Sequence, residues 1–279
     1  MKVFYNNFWK NFNGVGLDNL FKIIFQTDIV ETKKYEEADI LCDGVFINSA
    51  NFLDKKVWKY SFLISYENYL RYDETRLRKY TCILSGFVGS PQRIAYPYFY
   101  SRMLIKDEFH THTSIPLKQF CAVLSNDGGK YRNAFLNELE KTVKVDYGGA
   151  YKNNIGRKIE GVHSDSKLIN FYKEYKFVFA MENSKGDYYI TEKLYNALKS
   201  GGIPVYWGSP NLDTFINPKR ILYVRNETKE EMARIINIIH TMTDEEYLSI
   251  IKEPIFIKPF DELFQDKIKE IQILLNLVK

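Results

Sequence analysis

At 279 residues the chain has room for two domains of ordinary size. Hydrophobic residues make up 45% of it and charged residues 27%, a composition that excludes wholesale disorder. The net charge is only +4, and acidic and basic residues are interleaved, which excludes a nucleic-acid footprint.

Read in chain order, strand-like and helix-like segments alternate, the pattern of an α/β architecture with parallel sheets. The segments VFYNNF, TDIVET, ADILCDG, WKYSFLISYEN, YTCILSGF and RIAYPYF read as strands, and Leu17 to Phe25 as a helix. The polar stretch from Ile105 to Lys118, with Pro116 near its end, reads as an interdomain linker. Beyond it QFCAVLS reads as a strand, and Tyr131 to Val143 as a helix with Phe135, Leu139 and Val143 on one face. A strand into Gly148-Gly149, a helix ending near Tyr175 and the strand KFVFAMEN come next. The helix TEKLYNALKS stops at Gly201-Gly202, and the strand IPVYWG follows. Thr228 and Glu231 have capping-box spacing and open a helix through His240. The amphipathic stretch Asp261 to Val278 reads as a terminal helix. These breaks divide the chain into domains 1–116 and 117–258, with 259–279 as a helix expected to pack back on the first.

Cys42, Cys82 and Cys121 lie inside apolar runs, so they read as buried free thiols of a reducing compartment. No stretch is apolar enough for a membrane span, so a cytoplasmic protein with at most peripheral membrane contact is expected. Gly14-Val15-Gly16 lacks the third glycine of a dinucleotide loop, since Asn19 stands there, and reads as a turn. His110, His112, His163 and His240 have no acidic or thiol neighbours that would complete a metal site. Ser164-Asp165-Ser166 reads as a helix cap.

The chemistry concentrates between Tyr175 and Pro210. A buried strand ends at Glu182-Asn183, a polar loop follows, and a helix starts near Thr191. In open α/β sheets ligands bind beyond the strands' carboxyl ends, where helix N-termini favour a phosphate. Lys193 in the first turn can add a full charge, and Glu192 is an acceptor suited to sugar hydroxyls.

Met181-Glu182-Asn183, Tyr189-Ile190-Thr191-Glu192-Lys193 and Ile203-Pro204-Val205-Tyr206-Trp207-Gly208, in that order, closely resemble the signature of the α1,3/α1,4-fucosyltransferase family. Ser125-Asn126 followed by Arg132-Asn133-Ala134-Phe135 resembles a second block of that family, and Ser65-Tyr66-Glu67-Asn68 with Tyr96-Pro97-Tyr98-Phe99-Tyr100 a third, read as an aromatic, Pro-containing strand. In the third block Tyr66 stands where the family has glycine. The resemblance covers most of residues 60–220.

It implies two Rossmann-like domains facing across a cleft, the GT-B glycosyltransferase arrangement. It also implies an inverting transfer of L-fucose from GDP-fucose to an oligosaccharide or glycoconjugate hydroxyl, forming an α1,3 or α1,4 linkage to GlcNAc. Glu67 is then the general base and Glu192 a second catalytic carboxylate. Arg132, Lys193, Tyr189, Asn183, Ser125 and Asn126 bind the donor. No cofactor is required, and a divalent metal is at most stimulatory. The rivals are a transferase for another nucleotide sugar and an inactive glycan-binding relative.

Overall fold

A strand covered on both faces has to be apolar at every position rather than at every second one. The stretches Ile40–Cys42, Phe62–Ile64, Cys82–Leu84 and Ile203–Tyr206 fit that description, with every residue buried. The computed structural model describes residues 1–10, 12–46, 51–70, 72–104, 108–159 and 166–278. Its elements in chain order begin with β1 (Lys2–Asn6), α1 (Val15–Phe25), β2 (Val30–Glu31), β3 (Ile40–Asp43) and β4 (Tyr60–Ser65). Next come α2 (Glu74–Leu77), β5 (Cys82–Ser85), β6 (Arg93–Ala95) and α3 (Tyr98–Met103). The second half holds β7 (Lys118–Ala122), α4 (Lys130–Leu139), β8 (Val145–Tyr147), α5 (Ser166–Tyr172), β9 (Tyr175–Phe179), α6 (Glu192–Lys199) and β10 (Ile203–Tyr206). It closes with β11 (Leu222–Tyr223), α7 (Lys229–Thr241), α8 (Asp244–Lys252) and α9 (Phe260–Leu274).

These elements form two compact units. One comprises Met1–Asp107, Gly186–Tyr189 and Lys258–Lys279; the other comprises Glu108–Lys185 and Ile190–Ile257. The first carries a six-stranded parallel sheet in the order β2-β1-β3-β4-β5-β6. The second carries a five-stranded parallel sheet in the order β11-β10-β9-β7-β8. Counted from its own first strand, the second sheet has the order 2-1-3-4-5, and the first five strands of the first sheet follow the same order. Each therefore reverses direction beside its first strand, between β1 and β3 and between β7 and β9. Such switch points are where doubly wound sheets bind ligands.

In the first unit, α1 lays Leu17, Leu20, Phe21 and Ile24 into the core. Helix α9 buries Leu263, Phe264, Ile268 and Ile271 in the same unit, and Gln272 Nε2 donates to the Ile24 carbonyl at 2.9 Å. Phe260 and Phe264 lie 5.7 and 6.2 Å from Tyr100. Val278, where the stretch read as a terminal helix ends, lies beyond α9 and is 39% exposed. Among the described residues no helix is long and apolar enough to cross a membrane. All three cysteines are buried and free.

At the switch point of the first sheet, fully buried Asp43 accepts from Asn6 Nδ2 (2.7 Å), Asn7 Nδ2 (2.9 Å) and the Tyr80 hydroxyl (2.6 Å). Burial raises its pKa, and these donors and nearby Arg76 oppose the rise. In the second unit, His112 is 8% exposed, and its Nδ1 pairs with the hydroxyl of fully buried Tyr247 at 2.6 Å. Buried Arg220 donates to the carbonyls of Gly202 (3.1 Å) and Gly201 (2.9 Å).

Burial, with neighbouring His110, Arg220 and Lys173, lowers the His112 pKa from 6.5 to about 4. The unfolded chain thus binds a proton between pH 6.5 and 4 that the folded chain refuses. Stability is full above pH 6.5 and lost as pH falls through this window, by at most about 3 kcal/mol. We expect the melting temperature of the parent to drop between pH 7.5 and 4.5, and that of His112→Gln to drop less. Equal drops in the two proteins would remove His112 as the cause.

Three sequence expectations need correction. The RIAYPYF segment is not a continuous strand, because β6 stops at Ala95 and Tyr98 opens α3. Pro97 has no N–H to give a ladder, and it caps the helix instead. The spacing of Thr228 and Glu231 produces only half a capping box. Thr228 accepts from the Glu231 N–H at 3.2 Å, but the Glu231 carboxylate takes Arg234 (2.7 and 2.9 Å) and the Arg225 N–H (3.2 Å). The full reciprocal box is at Thr243 and Glu246, opening α8. KFVFAMEN is a strand only to Phe179, which leaves Met181-Glu182-Asn183 as loop. The proposed cap residues Ser164 and Asp165, and His163, lie outside the described residues.

Candidate functional site

At the switch point of the second sheet, β7 runs out through Ser125 and Asn126, and β9 through Glu182 and Asn183. Helix α4 starts at this edge with Gly129 as its cap, at φ 88°. A side chain there would be strained, and its Cβ would sit 2.9 Å from the Asn183 carbonyl and 3.1 Å from Arg132. That close approach lets Arg132, in the first turn of α4, cross to the neighbouring loop. Arg132 Nη1 donates to Asn183 Oδ1 at 2.6 Å, and Nη2 donates to the carbonyl (3.1 Å) and Oδ1 (3.2 Å) of Asn126. Arg132 is 3% exposed, whereas Ser125, Asn126 and Asn183 are exposed. The guanidinium is thus a cation held in low dielectric beside open polar groups, where its field on an anion is strongest.

Thr191 caps α6, and its neighbours converge on Glu182. Fully buried Glu182 accepts from the Thr191 N–H and hydroxyl, each at 2.9 Å, and from Lys193 Nζ at 3.0 Å. Lys193 Nζ also lies 3.1 Å from Thr191 Oγ1 and 3.5 Å from Glu192 Oε1. The Glu182 N–H donates to the Trp207 carbonyl at 2.8 Å. A Cβ on Gly208 would come within 2.6 Å of Glu182 Cγ, so this carboxylate also fixes the loop after β10. Burial raises the Glu182 pKa, and the Lys193 ammonium pulls it back down. Since Lys193 already faces two carboxylates, its ammonium is a placed and partly neutralised charge rather than a surplus one. The side chains of Lys193 and Glu192 keep 25% and 23% exposure, enough to meet a ligand.

The second unit therefore brings together Arg132, Asn183 and Asn126 as one group, and Lys193 and Glu192 as another around Glu182. Ser125 stands beside Asn126, which lies 3.4 Å from its hydroxyl. Tyr189 is 4% exposed and belongs to the segment Gly186–Tyr189 of the first unit. Its N–H donates to the Gly186 carbonyl at 3.3 Å, while Tyr188 N–H donates to Gly86 at 2.8 Å. Glu67 lies in the first unit just past β4, half-buried, with its N–H on Ser65 Oγ at 3.2 Å. Sequence reasoning placed Glu182 in the family-like motif but gave it no role. The available signal was Thr191 and Lys193 nearby, two donors able to close on it. Among the described residues no group of three or more His, Cys, Asp or Glu could hold a metal ion.

Two parallel α/β sheets with these switch points superpose on a crystal structure of an α1,3-fucosyltransferase solved with GDP-fucose. The TM-score is 0.74 at 22% identity, over 98% of this chain and 90% of that one. The fold is that of the GT-B glycosyltransferases. Residues 116–252 match the family model of glycosyltransferase family 10 (fucosyltransferase), C-terminal part. The matched stretch, just under half of the chain, contains every residue of the Arg132 and Glu182 groups.

Two curated relatives agree. The α-(1,3)-fucosyltransferase of Helicobacter pylori is 34% identical over 143 residues, 50% of this chain and 28% of that protein. The GDP-fucose protein O-fucosyltransferase 3 of Xenopus tropicalis is 33% identical over 127 residues, 43% of this chain and 27% of that protein. The chain thus spans less than a third of the length of the curated relatives it matches.

Proposed function

We propose that the chain transfers L-fucose from GDP-fucose to a hydroxyl of an oligosaccharide acceptor, with inversion, forming an α1,3 or α1,4 linkage to GlcNAc. The observation that carries this reading is the pairing of buried Arg132 with Asn183 beside the Glu182–Thr191–Lys193 cluster, inside the family-matched domain. In the reaction, Glu67 takes the acceptor hydroxyl proton as that oxygen bonds to C1 of fucose. The bond from C1 to the β-phosphate oxygen breaks, and GDP leaves with the electron pair. Arg132, Lys193 and the start of α6 stabilise the charge gathering on GDP. Glu192 and Tyr189 hold the fucose and adjacent donor groups. Asn183, Asn126 and Ser125 place the nucleotide.

Incubation with GDP-fucose and a panel of glycan acceptors, followed by linkage determination, tests this reading. Absence of any fucosylated product would overturn it, and transfer from a different nucleotide sugar would redirect it. A second reading, fucose transfer to a protein hydroxyl, is favoured by the 33% identity to the Xenopus tropicalis protein O-fucosyltransferase. A folded protein acceptor included in the panel separates the two. The three buried free thiols support a cytoplasmic location.

The cationic side chains and the helix N-terminus can neutralise the donor phosphates. Substantial transfer is therefore expected to survive exhaustive chelation, with a divalent ion stimulating at most. Complete loss of activity that added metal restores would contradict this.

A further inference from the structure

Strand β4 ends at Ser65, and the next two residues are Tyr66 and Glu67. The Ser65 hydroxyl, on a residue only 1% exposed, accepts the Glu67 N–H at 3.2 Å and donates to the Tyr69 carbonyl at 3.2 Å. That closes a tight local turn at the end of its own strand. A second attachment comes from Tyr66, whose phenol hydroxyl hydrogen-bonds the Ser101 hydroxyl on α3. Its ring also stands edge-on to Tyr98, 5.5 Å away at 87°.

Helix α3 is itself held firmly. Phe99 and Tyr100 are buried, and Tyr100 stacks on Tyr96 at 5.2 Å while meeting Phe260 and Phe264 of α9. Tyr66 thus ties the backbone of Glu67 to a packed aromatic block two strands further along the sheet. The similar family has glycine at this position, which would leave the turn with much more backbone freedom.

We propose that Tyr66 is a positioning residue, which sets the Glu67 carboxylate for proton removal through its anchor on Ser101. This rests on Glu67 being the base. Displacing a base slightly weakens proton transfer in the transition state but not the binding of donor or acceptor.

The test compares Tyr66→Phe, which keeps the ring and loses the hydroxyl, with Ser101→Ala, which removes the other half of the same bond. Each is expected to lower kcat roughly fivefold to fiftyfold while KM for GDP-fucose and for acceptor stay put, and the double variant to lose no more than either single. In a Glu67→Gln background, Tyr66→Phe should cost nothing further, because there is no carboxylate left to place.

Parental kcat in both single variants would overturn the anchor. So would an equal loss from Tyr66→Phe with or without Glu67, since the residue would then act elsewhere. If Glu67→Gln itself keeps parental turnover, the base assignment fails and this inference falls with it. A collapsed Glu67→Gln beside a fully active Tyr66→Phe sinks the anchor alone. Melting temperatures separate a misplaced base from a loosened fold, and Ser101→Ala serves should Tyr66→Phe fold poorly.

Discussion

Replacing Glu67 with Gln is expected to leave GDP-fucose affinity at the parental value and to lower transfer by about a hundredfold to ten-thousandfold. Glutamine fills the same space past β4 and leaves the backbone contact with Ser65 in place, but it cannot accept a proton. The acceptor oxygen would then have to attack as a neutral hydroxyl. A carboxylate that is merely solvated predicts no change at all, so the two readings differ by at least two orders of magnitude. Calorimetry with GDP-fucose and transfer rates at saturating acceptor give the paired measurement. Unchanged turnover would strike Glu67 from the mechanism, and lost donor affinity would show that it does something other than move a proton.

Arg132→Ala is expected to cost roughly tenfold to a thousandfold in transfer, with weakened GDP binding, as for loss of one electrostatic stabiliser from a desolvated site. Lys193→Ala should fall in the same range but toward its lower end, since Lys193 shares its charge with Glu182 and Glu192. It carries a second effect that Arg132→Ala lacks. Without the ammonium, the Glu182 carboxylate loses its cation while remaining buried, so stability drops along with binding. Adding Glu182→Gln to Lys193→Ala should recover much of that stability without recovering GDP affinity. Titration with GDP and thermal melts on the four proteins resolve the two effects. Parental GDP affinity in both Arg132→Ala and Lys193→Ala would show that the donor phosphates bind elsewhere.

The sheets were readable from sequence because most of their central strands are buried on both faces, which writes apolar runs such as Ile40-Leu41-Cys42 and Cys82-Ile83-Leu84 into the chain. Helix α3 was not. Its residues Tyr98 to Met103 are aromatic-rich and follow an apolar strand, so the run read on past Pro97. The two helix-start signals at Thr228 and Thr243 have the same form, but Glu231 is taken by Arg234 and the Arg225 N–H, whereas Glu246 turns back to its cap.

Arg132 shows the limit for the site. Its spacing on α4 gives no hint that Gly129 and Asn183 bury it, and the family resemblance alone marked it. Glu182 was quoted in the motif, but its role as a buried hub was not legible for a related reason. A buried carboxylate is recognised by the donors that reach it, and those lie nine and eleven positions further along the chain.

The first unit is not one continuous stretch, since it includes Gly186–Tyr189 and Lys258–Lys279 besides the amino-terminal segment. During synthesis, domains usually complete themselves in the order they leave the ribosome. Here the six strands of the first sheet precede those of the second, yet α9, which carries Leu263, Phe264, Ile268 and Ile271 into the first unit, is made after both sheets. The earlier-made unit therefore waits, with an uncovered apolar face, until both sheets have been made. The later-made unit, whose sheet lies wholly between Lys118 and Tyr223, has all its strands in hand before then. This stretch of nascent chain thus exposes apolar surface, to chaperones and to aggregation, on the unit whose sheet precedes the other.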